Sequence, residues 1–137
     1  MNASRTATCA CGGLRITVAG EPARVSACSC TQCQKRTGAP FGVGAYFLRD
    51  QVISIEGAHR EFRRSSDSGR KLSMHFCPDC GSTVFWYAEV FPDRVGIAAG
   101  AFADPLFPPP VAAVWVENKH RWVEFPEGIH SFPRQPG

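Results

Sequence analysis

Apolar and polar residues alternate in short runs along most of the chain, with the period of two that a half-buried strand requires. Leu14-Arg15-Ile16-Thr17-Val18 is one such run, and Gly20-Glu21-Pro22 turns it toward a second at Val25-Ser26-Ala27-Cys28. Phe41-Gly42-Val43-Gly44-Ala45-Tyr46-Phe47 alternates strictly. It predicts a central strand with Phe41, Val43, Ala45 and Phe47 on one face and glycines on the other, where another group must approach closely. Further short strands are expected over 52–55, 60–65 and 71–76, separated by turn clusters at Glu56-Gly57 and Ser66-Asp67-Ser68-Gly69, and again over 83–87, 95–100 and 111–116. The prolines of 104–110 cannot donate ladder hydrogen bonds and predict an extended connection. One helical turn is expected over 31–36, with Thr31 as cap and Gly38-Ala39-Pro40 as stop. The pattern is that of a mainly β protein built from antiparallel sheets, with at most short helical turns.

The cysteines add chemistry to this frame. There are seven, spaced Cys9-x-Cys11, Cys28-x-Cys30-x-x-Cys33 and Cys77-x-x-Cys80. An odd number at these spacings fits metal binding better than a disulfide framework, and zinc is the default ion. Cys77-Pro78-Asp79-Cys80-Gly81 reads as a zinc-knuckle turn whose trailing glycine takes a left-handed conformation, and Cys9-Ala10-Cys11-Gly12-Gly13 reads as another half-site. The economical partition is a closed, structural site of Cys9, Cys11, Cys77 and Cys80, and a second, open zinc site of Cys28, Cys30 and Cys33. Three ligands leave one position for water or substrate, which makes the triplet the candidate catalytic centre. Two rivals stand beside it: Cys9 and Cys11 pairing with Cys28 and Cys30, or a single zinc with three unligated thiols. A histidine could also complete the triplet, His75 being close in sequence to Cys77, although histidines more often bond a backbone carbonyl. Nucleophilic cysteine catalysis fits poorly, because no cysteine stands alone with a suitable histidine signature. Lys35 and Arg36 follow the triplet directly and are placed to offset thiolate charge or to hold a charged thiol substrate; a solvated basic face is the plainer alternative.

Length and charge narrow the rest. A chain of 137 residues predicts a single domain over 1–137, with a core of about 5–133. A net charge of +3 and a pI near 8.6 are too small to imply a nucleic-acid partner, which is not expected, although charge alone does not decide it. The first residues carry no apolar signal-peptide core, and no stretch approaches the roughly 20 apolar residues of a spanning helix. The expectation is a cytoplasmic protein without membrane contact.

Together, Cys9-x-Cys11-Gly12, Cys28-x-Cys30-x-x-Cys33, Arg36-x-Gly38-Ala39-Pro40-Phe41, Phe76-Cys77-x-x-Cys80-Gly81-Ser82, Gly100-x-Phe102-x-Asp104-Pro105 and Gly128-Ile129-His130-Ser131-Phe132-Pro133 resemble the glutathione-dependent formaldehyde-activating enzyme family, also called the centromere-protein-V-like domain. The resemblance runs from about Cys9 to Pro133. It implies a zinc-stabilised β-tent fold, a structural zinc on the two outer cysteine pairs and a second zinc on the triplet. It also implies a carbon–sulfur lyase activity that joins glutathione, or another thiol, to a small aldehyde such as formaldehyde. Arg63, Arg64 and Arg70 are further candidates for the thiol's carboxylates. Trp86, Tyr87, Trp115 and Trp122 are candidates for the cleft wall, with burial in the core as the alternative. The competing function is a zinc-stabilised binding module of the same fold, with a protein or nucleic-acid partner and no catalysis.

Overall fold

The structure is a computed structural model that describes residues 3–66 and 68–135. Among the described residues, eleven strands form two sheets. The smaller holds β1 (Ser4–Thr8), β2 (Arg15–Ala19) and β5 (Val52–Glu56), in the order β1-β2-β5. The larger holds β3 (Arg24–Cys28), β4 (Gly42–Leu48), β6 (Arg60–Ser65), β7 (Lys71–Phe76), β8 (Thr83–Ala88), β9 (Arg94–Ala98), β10 (Ala112–Val114) and β11 (His130–Ser131). Its order is β11-β10-β3-β4-β9-β8-β7-β6, so the glycine-rich strand is central, as its alternation predicts. An α-helix, α1 (Thr31–Thr37), joins β3 to β4. The mainly β expectation holds, and no helix among the described residues is long and apolar enough to cross a membrane.

Alternation on the central strands sorts side chains to two faces. Ala45 and Phe47 of β4, Val25 of β3, and Val95 and Ile97 of β9 are buried in a core that they share with Ala7, Ile16 and Val18 of the smaller sheet. The intervening residues, Ser26, Cys28, Gly42, Gly44 and Tyr46, line a cleft on the other face of the large sheet. One sheet thus packs the fold with one face and builds a site with the other.

Four features depart from the sequence pattern. The β3–β10 and β10–β11 pairs are parallel, not antiparallel. A parallel pair needs a long crossover, and residues 115–129 supply one between β10 and β11. Strand β10 stops at Val114, two residues early, because Trp115 adopts φ 55° and ψ 37°, a left-handed conformation that breaks a ladder. Strand β1 carries only one buried residue, Ala7, and so shows no periodicity of its own. Its pairing with β2 holds it, together with a bond between the Thr6 and Thr17 hydroxyls at 2.9 Å. Finally, the cap of α1 is Cys30 rather than Thr31: the Cys30 Sγ accepts from the Cys33 backbone N–H at 3.3 Å, and Gly38, at φ 67°, closes the other end.

Candidate metal centres

Cys9 and Cys11 lie in the β1–β2 loop, Cys77 and Cys80 in the β7–β8 loop, and their four sulfurs are all within 4.8 Å of one another. Each loop is shaped to turn its sulfurs toward the other pair. In the first, the Gly12 N–H bonds to the Cys9 carbonyl at 3.0 Å with Gly12 at φ 82°; in the second, the Gly81 N–H bonds to the Cys77 carbonyl at 2.8 Å with Gly81 at φ 80°. Backbone N–H groups point at the sulfurs: Leu14 donates to Cys9 Sγ at 3.1 Å and Asp79 to Cys77 Sγ at 3.4 Å. Burial works against ionisation of Cys9, but the Leu14 N–H and the Cys11 thiol together hold it below the usual thiol range. The Ser82 hydroxyl and backbone draw the Cys80 thiol down to about 5. Cys11 is favoured as thiolate by the Gly13 backbone but pushed up to about 12 by its neighbours Cys9, Cys77 and Cys80. Crowded thiolates that cannot all ionise together are what a divalent cation resolves. The Cys9–Cys11 and Cys11–Cys77 sulfurs are each 3.6 Å apart, far beyond a disulfide bond and close to the about 3.8 Å edge of a tetrahedral zinc–thiolate site. The residues fit zinc.

The second group is Cys28, Cys30 and Cys33, whose sulfurs likewise lie within 4.8 Å of one another. Cys28 ends β3, Cys30 caps α1 and Cys33 sits in its first turn, so a strand end and one helical turn assemble the site without help from elsewhere. Proton sharing is more unequal here. Hydrogen bonds from Cys28 and Cys33 draw Cys30 down to about 2, and the positive charge of Arg64 acts in the same sense. Cys28 is pushed far up by Cys30 and Cys33 and by burial. Cys33, although favoured as thiolate by Cys28 and by Arg36, is raised overall by Cys30 and burial. Three sulfurs this crowded also suit a cation, and no histidine joins either group among the described residues. His75 stacks on Phe85 at 4.8 Å and shares its Nε2 with the Ser73 hydroxyl at 3.0 Å.

The groups differ in surroundings. Cys28, Cys30 and Cys33 line a cleft of about 120 Å³, and none of the other four cysteines does. Trp86 on β8 forms its wall, seated over glycine: a Cβ on Gly44 would come within 2.9 Å of the indole, and one on Gly96 within 2.2 Å of its Nε1. The Arg36 guanidinium lies over the Trp86 ring at 4.9 Å, in space that Gly42 leaves open. The Trp86 indole N–H donates to the Tyr46 hydroxyl at 3.4 Å, and burial raises the Tyr46 phenol so that it keeps its proton.

Of the other sequence candidates, Arg36, Arg64, Arg70, Trp86 and Trp115 line the cleft. Lys35 is exposed and does not line it, and Trp122 is 73% exposed. Arg63 points to the opposite side of β6, where it pairs with Glu61 at 2.7 Å, and Tyr87 packs beneath the Arg49 guanidinium. Sequence reasoning missed Tyr46, Arg24 and Lys71, all cleft residues. The signal for Tyr46 was present, since it alternates with the two glycines singled out on β4.

Comparison with known proteins places this geometry in a family. A crystal structure of a Rhodobacter sphaeroides protein superposes with a TM-score of 0.56, covering 76% of this chain and 91% of that one at 20% identity, which supports the fold. A Halomonas elongata protein, provisionally named a glutathione-dependent formaldehyde-activating enzyme, is 27% identical over 126 residues, 85% of this chain and 78% of the relative. A Fusarium vanettenii protein with the same provisional name is 30% identical over 81 residues, and this chain spans 42% of its length. The family model for glutathione-dependent formaldehyde-activating enzyme matches residues 4–118, and the chain belongs to that family.

Proposed function

We propose that the protein is a two-zinc carbon–sulfur lyase that joins glutathione, or a related thiol, to a small aldehyde such as formaldehyde. The observation that carries this reading is that the cysteine triplet lines the cleft of about 120 Å³, beside Arg36, Tyr46 and Trp86, whereas the four-cysteine group lies outside it. Family membership supplies the substrate names. A zinc ion on Cys28, Cys30 and Cys33 would supply a Lewis-acid position able to hold a thiol as thiolate near neutral pH.

The chain's own residues account for the rest. The thiol sulfur attacks the aldehyde carbon, a C–S bond forms, and the π pair of the carbonyl moves to oxygen, which takes up the proton that the thiol gave up. Nothing else leaves, and the product is the S-hydroxymethyl adduct. Tyr46, whose buried phenol keeps its proton, donates a hydrogen bond to that oxygen from the cleft wall. Arg36 and Arg64 offset the negative charge around the sulfurs. Trp86 and Trp115 hold water back and bring the reactants together. The reaction needs reduced thiols, which a cytoplasmic location would maintain.

The test is cobalt substitution at the triplet site. Glutathione is expected to change the thiolate-to-metal absorption, and exchange spectroscopy by NMR is expected to show faster adduct formation with protein than without. An unchanged spectrum together with an unaccelerated exchange would replace this reading with a zinc-stabilised binding module.

A further inference from the structure

Five cations line the triplet cleft: Arg24 from β3, Arg36 from α1, and Arg64, Arg70 and Lys71 from the β6–β7 hairpin. No carboxylate among the described residues lines it with them. The ion pairs among the described residues are Arg5–Glu21, Arg63–Glu61 and Arg134–Glu117, and none includes any of the five. Three separate segments therefore bring like charge to one concave surface, at an electrostatic cost that packing does not require. The Arg36 Nε is buried without a hydrogen-bond partner, while its guanidinium is held on Trp86. Arg24 is steadied by donating to the Ser26 hydroxyl at 3.0 Å. Positioned, unpaired guanidinium groups are the chemistry of carboxylate and phosphate recognition.

Resting on the reading that this cleft takes a thiol, we propose that it selects a polyanionic thiol, one held by two or more carboxylate or phosphate groups and having no ammonium that the cleft must accommodate. Glutathione meets the first condition with its two carboxylates. Its ammonium finds no carboxylate among the described lining residues and lies in a field of like charge. A thiol with the same anionic groups and a blocked amine is the better fit.

Calorimetric titration of the zinc-loaded protein with S-methylated ligands isolates this recognition, because a thioether does not ligate as thiolate. S-methylglutathione is expected to bind. Its diethyl ester is expected to bind at least tenfold more weakly, and its N-acetyl derivative more tightly than the parent. In Arg64→Gln/Arg70→Gln the affinity for S-methylglutathione falls tenfold or more while the thermal melt is unchanged. S-methyl phosphopantetheine separates the sources of charge: tighter binding than S-methylglutathione assigns the anion to phosphate, weaker binding to carboxylate. The proposal is overturned if none of these compounds binds, if the ester binds as well as its parent, or if N-acetylation leaves binding unchanged or weakens it. A cobalt spectrum that ignores glutathione would sink the thiol chemistry yet leave the charge preference standing, so the two failures are distinct.

Discussion

Four cysteines of this chain come together from loops of the two sheets, whereas the other three occupy one short stretch and face a cleft. Cys11 and Cys77 are 66 residues apart, and their loops leave β1 in the small sheet and β7 in the large one. A metal there would close a long loop and fix the two halves of the core against each other, so its binding free energy would become folding free energy. The triplet closes almost no chain, since β3 and α1 are adjacent with or without it. On the proposed reading the same ligand atom would serve architecture or chemistry according to how much chain it constrains and what it faces.

The sharpest way to break this comparison is Cys77→Ser or Cys9→Ser. Structural zinc in small domains contributes about 10 kcal/mol or more, comparable to the whole stability of a domain, so either variant is expected to lose its cooperative melt by circular dichroism. Next in size is Gly57→Ala. Gly57 sits at φ 98°, and a Cβ there would overlap the Gly13 carbonyl oxygen beside the closed site. A loss of about 3 kcal/mol in chemical denaturation is expected. Gly96→Ala displaces Trp86 on the cleft side, where an indole can shift as backbone cannot; about 2 kcal/mol is expected, with weakened ligand binding in the same titration. Smallest is Cys30→Ser. Serine is a good N-cap, so the helix keeps its start, and the expected stability change is about 1 kcal/mol or less while the second metal is lost. Equal destabilisation by Cys77→Ser and Cys30→Ser would erase the distinction.

How far each region was legible in the sequence follows the same line. The cysteine grouping was readable because C-x-C, C-x-x-C and the trailing glycines are local geometry, and Gly12 and Gly81 take the positive φ that the turns require. Strand β4 announced itself by alternation, and its glycines do make room, for Arg36 and Trp86. What the pattern could not carry was relational. Ser4–Thr8 becomes a strand only because β2 pairs with it, and the parallel pairs depend on where a crossover returns. Arg63 and Arg64 are adjacent on β6 and differ only by face, which the sequence does not orient. Cys30 displaced Thr31 as cap because a sulfur can accept a backbone N–H, a choice that residue preferences do not rank.

If the seven cysteines divide into a joint and an open site, native mass spectrometry during slow chelation will show the two metals leaving in separate steps. The expected result is two zinc ions per chain at the start, a one-zinc species that accumulates with the charge-state distribution of the folded protein, and unfolding only as the second ion leaves. One zinc in the fully loaded protein, or two lost together with the fold, would contradict it.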